Sequence, residues 1–302
     1  MNHVLEKDRE DQRVMNRRTF LLAATLPALA ACSTPSDPLS RSTAQQQLAQ
    51  LEQQYQGRIG VFAVNTGSNQ QLHYRSDERF AVCSTFKLLL VSAILKQSVT
   101  APELMQTIIS YTEEAIQKSS YAPITEQYRS MTVSDLCGAA LQYSDNAAAN
   151  LLMQLVGGPQ SVTAYAKSVG NQTFRLDRWE PELNTAVPGD QRDTGTPSAM
   201  GYSLQQLALG NALPETQRVQ LLDWLRGNTT GAERIKAGVP PDWVVGDKTG
   251  TGAYGVANDL AVLWPPQGAP RIISIYTSQH EQTARPRSDM VAQAARIVVA
   301  HI

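Results

Sequence analysis

The sequence has few cysteines, few histidines and little net charge, and each scarcity excludes a class of protein. Its 302 residues contain three cysteines, too few for a disulfide framework. The four histidines are scattered and form no H-E-x-x-H motif or Cys/His cluster, so we expect no metal and no other cofactor. A formal net charge of −1 lacks the basic excess of a nucleic-acid-binding domain. At 42% hydrophobic residues the chain can still bury a core, and its length predicts about two structural units.

The N-terminal region lacks an apolar run of the roughly 20 residues that span a bilayer. Phe20–Ala31 is shorter and directly follows Arg17-Arg18 and Thr19, a pattern that resembles a twin-arginine export signal. We therefore predict a signal peptide over residues 1–31. The first fourteen residues are unusually dense in charge for such a signal, so Met15 is an alternative start.

The run ends in Leu29-Ala30-Ala31-Cys32, which resembles a bacterial lipobox, whose cysteine carries a lipid. This pattern predicts lipidation of Cys32; the alternative is ordinary cleavage nearby with Cys32 unmodified. Residues 32–41 are polar and are predicted to be a tether. We expect an exported, periplasmic protein of a Gram-negative bacterium, held at the membrane if Cys32 is lipidated.

The apolar pattern after the tether predicts a helix, two strands, a helical block, further strands and a final helix. A helix is capped at Ser42 or Thr43, and Arg58–Asn65 and Gln71–Arg75 form a hairpin around a turn. Residues from about 100 to 227 are mostly helical, with breaks at Gly157-Gly158 and around 181–197. The later predicted elements are strands at 243–247, 260–264 and 272–277 and an amphipathic helix over 287–302.

This order predicts an α+β fold, in which an antiparallel sheet flanked by helices carries an inserted all-α domain. The α/β domain would comprise residues 42–82 plus 228–302, and the all-α domain residues 83–227.

A Ser-x-x-Lys tetrad, Ser84-Thr85-Phe86-Lys87, is the first candidate for chemistry. If a helix begins at Ser84, Lys87 lies one turn later on the same face. An unperturbed serine is a poor nucleophile and needs a base, and a desolvated lysine can supply one. Alone the tetrad is weak, because a capping serine and a solvated lysine give the same pattern.

Two further triplets follow the tetrad. Ser144-Asp145-Asn146 comes after a predicted helix, and Lys248-Thr249-Gly250 comes at the end of a predicted strand. Either alone is typical of a turn. In this order, with roughly sixty residues between the first two clusters and a hundred between the last two, chance is a poor explanation.

With these three motifs the chain resembles a class A serine β-lactamase over about residues 42–302. A fourth motif, Glu180-x-x-x-Asn184 within Arg178–Asn184, resembles the omega-loop signature of that class, and places the loop at 178–193. The resemblance implies the all-α plus α/β architecture given above, an antibiotic-hydrolysing activity without a cofactor, a small β-lactam as substrate and a monomeric protein.

The resemblance also implies a role for each motif residue. Ser84 is the nucleophile, Lys87 or Glu180 is the acylation base, and Ser144 passes a proton to the leaving nitrogen. Glu180 with Asn184 activates the deacylating water, and the backbone N–H groups of Ser84 and Thr251 form the oxyanion hole. Substrate contacts are implied for Asn146, Asn184, Lys248, Thr249, Gly250 and Thr251.

Weaker positions complete the expected site. Tyr121 matches an aromatic wall of the family cleft, and the alternative is an exposed packing tyrosine. Arg234 matches a position that supports the carboxylate pocket in some members, and the alternative is a surface charge. An Arg178–Asp193 ion pair is expected to close the omega loop, and Asn150 to have a structural role.

The cysteines depart from relatives that form a disulfide beside the nucleophile. The partner position of Cys83 is Gly252, and the partner position of Cys137 is Val91. We therefore expect both thiols to be free and buried. Gly195 replaces a usual threonine, and we expect it to add backbone freedom beside the omega loop.

Two rival functions share part of the motif set. A penicillin-binding D,D-peptidase shares Ser-x-x-Lys and KTG but lacks the Glu180/Asn184 pair. A penicillin-sensor domain binds the drug and stays acylated, and normally carries membrane helices joined to a signalling module.

Overall fold

The structure, a computed structural model, describes residues 38–302, with side chains from Thr43 onward. The predicted signal peptide, the alternative start at Met15 and the lipidation site Cys32 lie outside the described residues. In chain order the strands are β1 (Arg58–Asn65), β2 (Gln71–Tyr74), β3 (Phe80–Ala81), β4 (Ile108–Ser110), β5 (Ser130–Thr132), β6 (Thr194–Gly195), β7 (Val244–Gly252), β8 (Val256–Trp264) and β9 (Arg271–Ser278). The α-helices are α1 (Pro38–Tyr55), α2 (Lys87–Gln97), α3 (Glu113–Lys118), α4 (Val133–Gln142), α5 (Asn146–Val156), α6 (Pro159–Ser168), α7 (Pro197–Ala208), α8 (Glu215–Arg226), α9 (Ile235–Gly238) and α10 (Ser288–Val299).

A five-stranded antiparallel sheet with the order β2-β1-β9-β8-β7 joins the two ends of the described chain. This confirms the predicted α+β class. β1 has the predicted bounds, because a β-rich run is bordered by Gly57 and by the turn at Thr66-Gly67. β7 does not end at Asp247 as predicted but continues to Gly252. Its pairing with β8 along the whole length satisfies the backbone, so the glycines there do not end the strand.

The two faces of the sheet bury different helices. On one face Val61 and Ala63 of β1 pack in a core with α1 and α10, while Phe62 and Val64 point to the other core. This is the two-residue alternation of a strand that is buried on both faces. On the second face α7 packs against β1, β8 and β9. The predicted all-α region therefore contributes a helix to the cover of the sheet.

The first helix begins earlier than predicted. α1 starts at Pro38 rather than near Ser42 or Thr43, so residues 38–41 of the predicted tether are helical. Proline is well suited to the first helical position, because its fixed φ matches the helix and its missing N–H has no intrahelical partner there.

Helix α2 occupies the centre of the helical block and is buried from Lys87 to Leu95, as its apolar sequence predicts. The break predicted at Gly157-Gly158 is present, and both glycines have positive φ. The short pairs β3–β6 and β4–β5 were not predicted, because two or three residues carry no readable periodicity. The described residues, 38–302, belong to one compact unit. Within the described residues, helices of sufficient length and apolarity to cross a membrane are absent.

Candidate active site

Ser84 lies in a tight turn that precedes helix α2. The turn is a 3₁₀-helix over Cys83–Phe86, so the α-helix begins at Lys87 and not at Ser84 as predicted. Cys83 has a φ of 44°, a left-handed conformation that is rare for a residue with a side chain. Such strain is concentrated at functional sites. The Ser84 hydroxyl points to Glu180 and donates to its Oε1 at 3.4 Å.

Lys87 lies at the bottom of the site with its ammonium fully enclosed. Its Nζ is 3.1 Å from Oε1 of Glu180 and donates to Oδ1 of Asn146 and to the carbonyl of Ser144, both at 2.7 Å. Burial lowers the pKa of Lys87, while the Glu180 carboxylate acts in the opposite direction. Lys87 therefore contacts both the Ser144-Asp145-Asn146 motif and the Glu180-x-x-x-Asn184 motif.

The turn at Ser144-Asp145-Asn146 is held in place by its middle residue. Asp145 caps α5 and also accepts hydrogen bonds from the backbone N–H groups of Ile124 and Thr125. Ser144 has a φ of 58°, which aims its side chain at the cleft from a conformation that the surrounding bonds must maintain. The backbone N–H of Asn146 donates to the carbonyl of Tyr121 at 2.8 Å. Asp145 therefore fixes both the motif and the adjacent segment.

Tyr121 has an exposed side chain beside this turn. The residue is 51% exposed, and its carbonyl accepts from the backbone N–H of Asn146. That Tyr121 forms a wall of the cleft stays a prediction, and so does its role as a substrate contact.

The omega loop is closed by the predicted ion pair. Arg178 Nε donates to Oδ2 of Asp193 at 2.5 Å, and Asp193 Oδ1 accepts from the backbone N–H groups of Asp177 and Arg178. Asn150, predicted to be structural, binds both sides of the Glu180 residue. Its Oδ1 accepts from Glu180 N at 3.0 Å, and its Nδ2 donates to Glu180 O at 2.9 Å.

Asn184 lies next to the Glu180 carboxylate within this loop. Its Nδ2 donates to Oε2 of Glu180. Its Oδ1 is buried and receives no hydrogen bond from the described residues. Buried amide oxygens in folded proteins nearly always accept a hydrogen bond. The free Asn184 Oδ1 can therefore accept one from a ligand or a water molecule.

The edge strand β7 forms the opposite wall. Lys248 Nζ donates to Ser144 Oγ at 3.1 Å and to the carbonyl of Thr249 at 2.9 Å. Burial lowers the pKa of Lys248 well below its ordinary value, and the positive charge of Lys87 lowers it further. A Cβ at Gly250 would lie only 2.8 Å from the Val82 carbonyl, so glycine is needed where β7 meets the Ser84 turn.

Arg234 is buried beneath β7 and is not a surface charge. Its Nη1 donates to the carbonyls of Gly250 and Asn258 at 2.7 Å each, and its Nη2 donates to Thr251 Oγ1 at 2.6 Å. Burial lowers the pKa of Arg234. The guanidinium therefore adds a fixed positive charge behind the strand that carries Lys248.

The predicted free thiols are confirmed within the described residues. Cys83 and Cys137 are both buried and unpaired. Burial raises the pKa of each thiol, so neither is a reactive thiolate. That Gly195 adds backbone freedom beside the omega loop stays a prediction. Gly195 is buried in the β3–β6 pair, and a Cβ there would lie 3.3 Å from Val82, so close packing accounts for the small residue.

Three polar residues near the site were not predicted. Asn228 and Thr230 lie in the loop before α9, and Asp259 lies in β8 directly opposite Thr249. Asp259 had a readable signal, since it is a charged residue inside the apolar strand Val256–Trp264. The loop residues had none, because Asn and Thr are ordinary in loops.

Together these contacts bring the predicted motif residues into one cleft. A serine nucleophile faces a carboxylate, two buried lysines surround it, and a strand edge with an adjacent guanidinium can receive an anion. Such a set is suited to acyl transfer to water. Within the described residues, the His, Cys, Asp and Glu side chains form no cluster that could hold a metal ion.

Comparison with known proteins gives relatives that are all named as β-lactamases. A family model described as the β-lactamase enzyme family matches residues 43–302. A β-lactamase of Citrobacter koseri is 50% identical over 290 residues, which is 93% of this chain and 97% of the relative. The β-lactamase Toho-1 of Escherichia coli is 51% identical over 288 residues, with the same shares of 93% and 97%.

Solved structures agree with the sequence comparison. A crystal structure of a β-lactamase from Desulfarculus baarsii has 55% sequence identity and a TM-score of 0.84. The match covers 86% of this chain and 97% of that chain.

Proposed function

Because this chain belongs to the class A β-lactamase family and hydrolyses β-lactam antibiotics, we propose that Ser84 carries the acyl group and that Glu180 serves both chemical steps. The observation that carries this assignment is the shared contact at one carboxylate oxygen. Glu180 Oε1 faces the Ser84 hydroxyl and the Lys87 ammonium at once.

Acylation begins with removal of the Ser84 proton as the oxygen attacks the lactam carbonyl. We assign the base to Glu180, directly or through one water molecule, rather than to Lys87. The Lys87 ammonium has three N–H donors and three acceptors around it, namely Ser144 O, Asn146 Oδ1 and Glu180 Oε1. A neutral amine would leave one of these acceptors without a hydrogen, so the arrangement favours a charged lysine that supports the nearby negative charge.

The developing oxyanion needs preorganised donors, and the backbone N–H groups of Ser84 and Thr251 are the proposed pair. In a well-studied protease, loss of one such donor costs about 2.7–4 kcal/mol of transition-state stabilisation. Ser144 is assigned to protonate the leaving nitrogen. Lys248 donates to its hydroxyl oxygen, which leaves the Ser144 hydrogen free to point into the cleft.

Deacylation uses a water molecule held by Glu180 and Asn184. The unpartnered Asn184 Oδ1 supports this role and also suits a contact with the substrate amide. The carboxylate of the substrate would bind Lys248, Thr249, Gly250 and Thr251, with Arg234 behind the strand. Asn146 and Tyr121 would contact the acylamino side chain.

A Glu180→Ala variant tests this assignment. Without the carboxylate, the variant should accumulate a covalent adduct on Ser84 after exposure to a penicillin, visible as a mass increase of the intact protein. Turnover should fall by at least a factor of 100, the lower range for loss of general-base catalysis. Undiminished turnover would contradict the role of Glu180, and a stable adduct on the wild-type enzyme would favour the sensor or peptidase function.

We propose in addition that the protein is exported to the periplasm of a Gram-negative bacterium by a twin-arginine signal, and that it acts as a monomer. The Arg17-Arg18 pair before Phe20–Ala31 supports the export route, and the lipobox-like Leu29–Cys32 supports a lipid anchor. Mass analysis of Cys32 in the membrane fraction tests the anchor, because an unmodified cysteine would contradict it.

A further inference from the structure

Asn258 is a buried residue in strand β8, directly opposite Gly250 of β7 in the sheet register. The residue is fully inaccessible to solvent. Burial of a side-chain amide is unfavourable unless its N–H and C=O groups have hydrogen-bond partners. The partners of the Asn258 amide therefore show which parts of the fold this side chain connects.

The amide nitrogen of Asn258 binds the chain segment that leads into the turn carrying Ser84. Its Nδ2 donates to the carbonyl of Ala81 at 2.8 Å and to the carbonyl of Val82 at 3.3 Å. Its Oδ1 accepts from the backbone N–H of Thr277 in β9 at 3.2 Å. These backbone partners fix the orientation of the amide, because a flipped amide would place its oxygen against two carbonyl oxygens.

The Ser84 turn, residues Cys83–Phe86, packs closely against β7 beside this amide. Val82 directly precedes Cys83, whose φ of 44° begins the turn. A Cβ at Gly250 would lie 2.8 Å from the Val82 carbonyl and 3.3 Å from Cβ of Cys83. Glycine thus lets the turn approach the sheet, and Asn258 supplies hydrogen bonds that hold it there.

The two proposed oxyanion donors lie on different elements. The backbone N–H of Ser84 belongs to the Ser84 turn, and that of Thr251 belongs to β7, where Thr251 pairs with Ala257 of β8. Two donors can stabilise one oxyanion only if their positions are fixed before the reaction. Asn258 is the next residue of β8, so its side chain connects the turn to the strand that is paired with β7.

The backbone of Asn258 is held independently of its side chain. Arg234 Nη1 donates to the carbonyls of Gly250 and Asn258 at 2.7 Å each, and the β7–β8 pairing continues on both sides of this position. Removal of the Asn258 amide should therefore release the Ser84 turn from the sheet without separating β7 from β8.

We propose that Asn258 is a positioning residue that sets the spacing of the two oxyanion donors by holding the Ser84 turn against the β7–β8 pair. The role rests on the proposed function, in which Ser84 is acylated and the N–H groups of Ser84 and Thr251 receive the oxyanion. The hydrogen bonds of the Asn258 side chain go to backbone groups, so Asn258 acts through the turn.

Loss of the amide has a defined consequence for the reaction. The Ser84 turn could move relative to β7, so the two N–H groups would no longer be held at the spacing that one oxyanion requires. Hydrogen bonds to the oxyanion strengthen as its charge develops, so their loss lowers kcat as well as kcat/KM.

Steady-state kinetics with a penicillin test the role, with a matched control in the same part of the sheet. Thr277 Oγ1 donates to the carbonyl of Ala257 at 2.6 Å and accepts from its N–H at 3.2 Å, so Thr277→Val also removes two buried hydrogen bonds. Asn258→Ala should lower kcat/KM about 10- to 100-fold, less than the loss of a whole oxyanion donor. Thr277→Val should lower the melting temperature and leave kcat/KM within about threefold of wild type, because its bonds do not reach the Ser84 turn. Equal losses of kcat/KM in the two variants would overturn the role.

Infrared spectroscopy of the acyl-enzyme tests the oxyanion hole itself. The Glu180→Ala background should retain the acyl group, and a ¹³C label at the lactam carbonyl of the penicillin identifies the ester C=O stretch. Hydrogen bonds from the oxyanion hole lower this frequency, because they polarise and weaken the C=O bond. Addition of Asn258→Ala should move the band to higher frequency, and addition of Thr277→Val should leave it in place.

The outcomes separate the role of Asn258 from the proposed function. An ester band that is unchanged in Asn258→Ala would overturn the role while leaving the acylation of Ser84 intact. An ester band absent from every variant would instead contradict the acylation of Ser84, and the role would be overturned with it. If Asn258→Ala does not fold, Asn258→Asp replaces it, since a carboxylate can accept from the Thr277 N–H but has no N–H for the two carbonyls. This variant should show the same loss of kcat/KM and the same shift of the band.

Discussion

Asn150 holds the omega loop through hydrogen bonds to Glu180, a contact called the Asn150 clamp below. This clamp allows the most direct test of how the fold supports the reaction. Asn150 makes two hydrogen bonds to the backbone of Glu180, at 2.9 and 3.0 Å, from helix α5 outside the loop. Replacement by alanine removes both and leaves the N–H and C=O of Glu180 without partners. We expect the Asn150→Ala variant to fold but to hold Glu180 poorly.

The size of the effect follows from the two bonds. An intramolecular hydrogen bond contributes about 0.5–1.5 kcal/mol net, so the closed position of the loop should lose about 1–3 kcal/mol. At 1.4 kcal/mol per factor of ten, kcat should fall about 5- to 140-fold. Hydrogen exchange of the amides at 178–193 should accelerate by a similar factor, because the same opening limits both.

A buried asparagine outside the omega loop supplies the control. Asn171 also makes hydrogen bonds in two directions, accepting from the backbone N–H of Phe174 at 2.9 Å and donating to Ser203 Oγ at 3.0 Å. Asn171→Ala should therefore lower the melting temperature without reducing kcat. Equal losses of kcat in Asn150→Ala and Asn171→Ala, or a kcat within twofold of wild type for Asn150→Ala, would refute the clamp.

Three further outcomes depend on close packing and buried charge. A Cβ at Gly252 would lie 2.7 Å from Cys83 Sγ, so Gly252→Cys should form a disulfide with Cys83 and raise the melting temperature when no reductant is present. Gly252→Ser is the control and should show no effect of reductant. Equal melting temperatures of Gly252→Cys with and without reductant would count against the disulfide. Gly250→Ala places a methyl 2.8 Å from the Val82 carbonyl and should lower both kcat/KM and, by about 1–3 kcal/mol in chemical denaturation, stability. The raised pKa of Asp259 means that the folded state keeps a proton which unfolding releases, so wild-type stability should fall as the pH rises above about pH 4. Asp259→Asn lacks this slope and should gain on the wild type as pH rises; a gap that does not change with pH would contradict a retained proton.

The elements that sequence predicts best are those with their own local signals. β1 follows from a β-rich run between Gly57 and a turn, and its bounds agree with the structure. The sequence predicts that β7 ends at Asp247, because Lys248–Gly252 has the composition of a turn, whereas the strand continues to Gly252. Its hydrogen bonds come from β8, which is a tertiary contact that no local pattern reports.

The site residues also divide into those with a local sequence signal and those placed only by tertiary contacts. Ser84, Glu180 and Lys248 were found because their motifs are contiguous in sequence and tied to one chemistry. Asn228 and Thr230 carry no motif, and only folding places them against β7. Their relation to Asp247 and Thr249 exists in space alone, so one sequence without a structure could not predict it.

The charges of the cleft explain why an anionic substrate suits this site. Lys87 has a carboxylate partner in Glu180, but Lys248 donates only to neutral oxygens, Ser144 Oγ and Thr249 O. A buried cation without an ion pair is unfavourable, and the lowered pKa of Lys248 is the measure of that cost. A carboxylate at the β7 edge would supply the missing partner and raise that pKa, with Arg234 adding to the attraction from behind the strand. Among the described residues Lys248 therefore has no direct ion-pair partner, and part of the binding free energy would come from the substrate carboxylate supplying one.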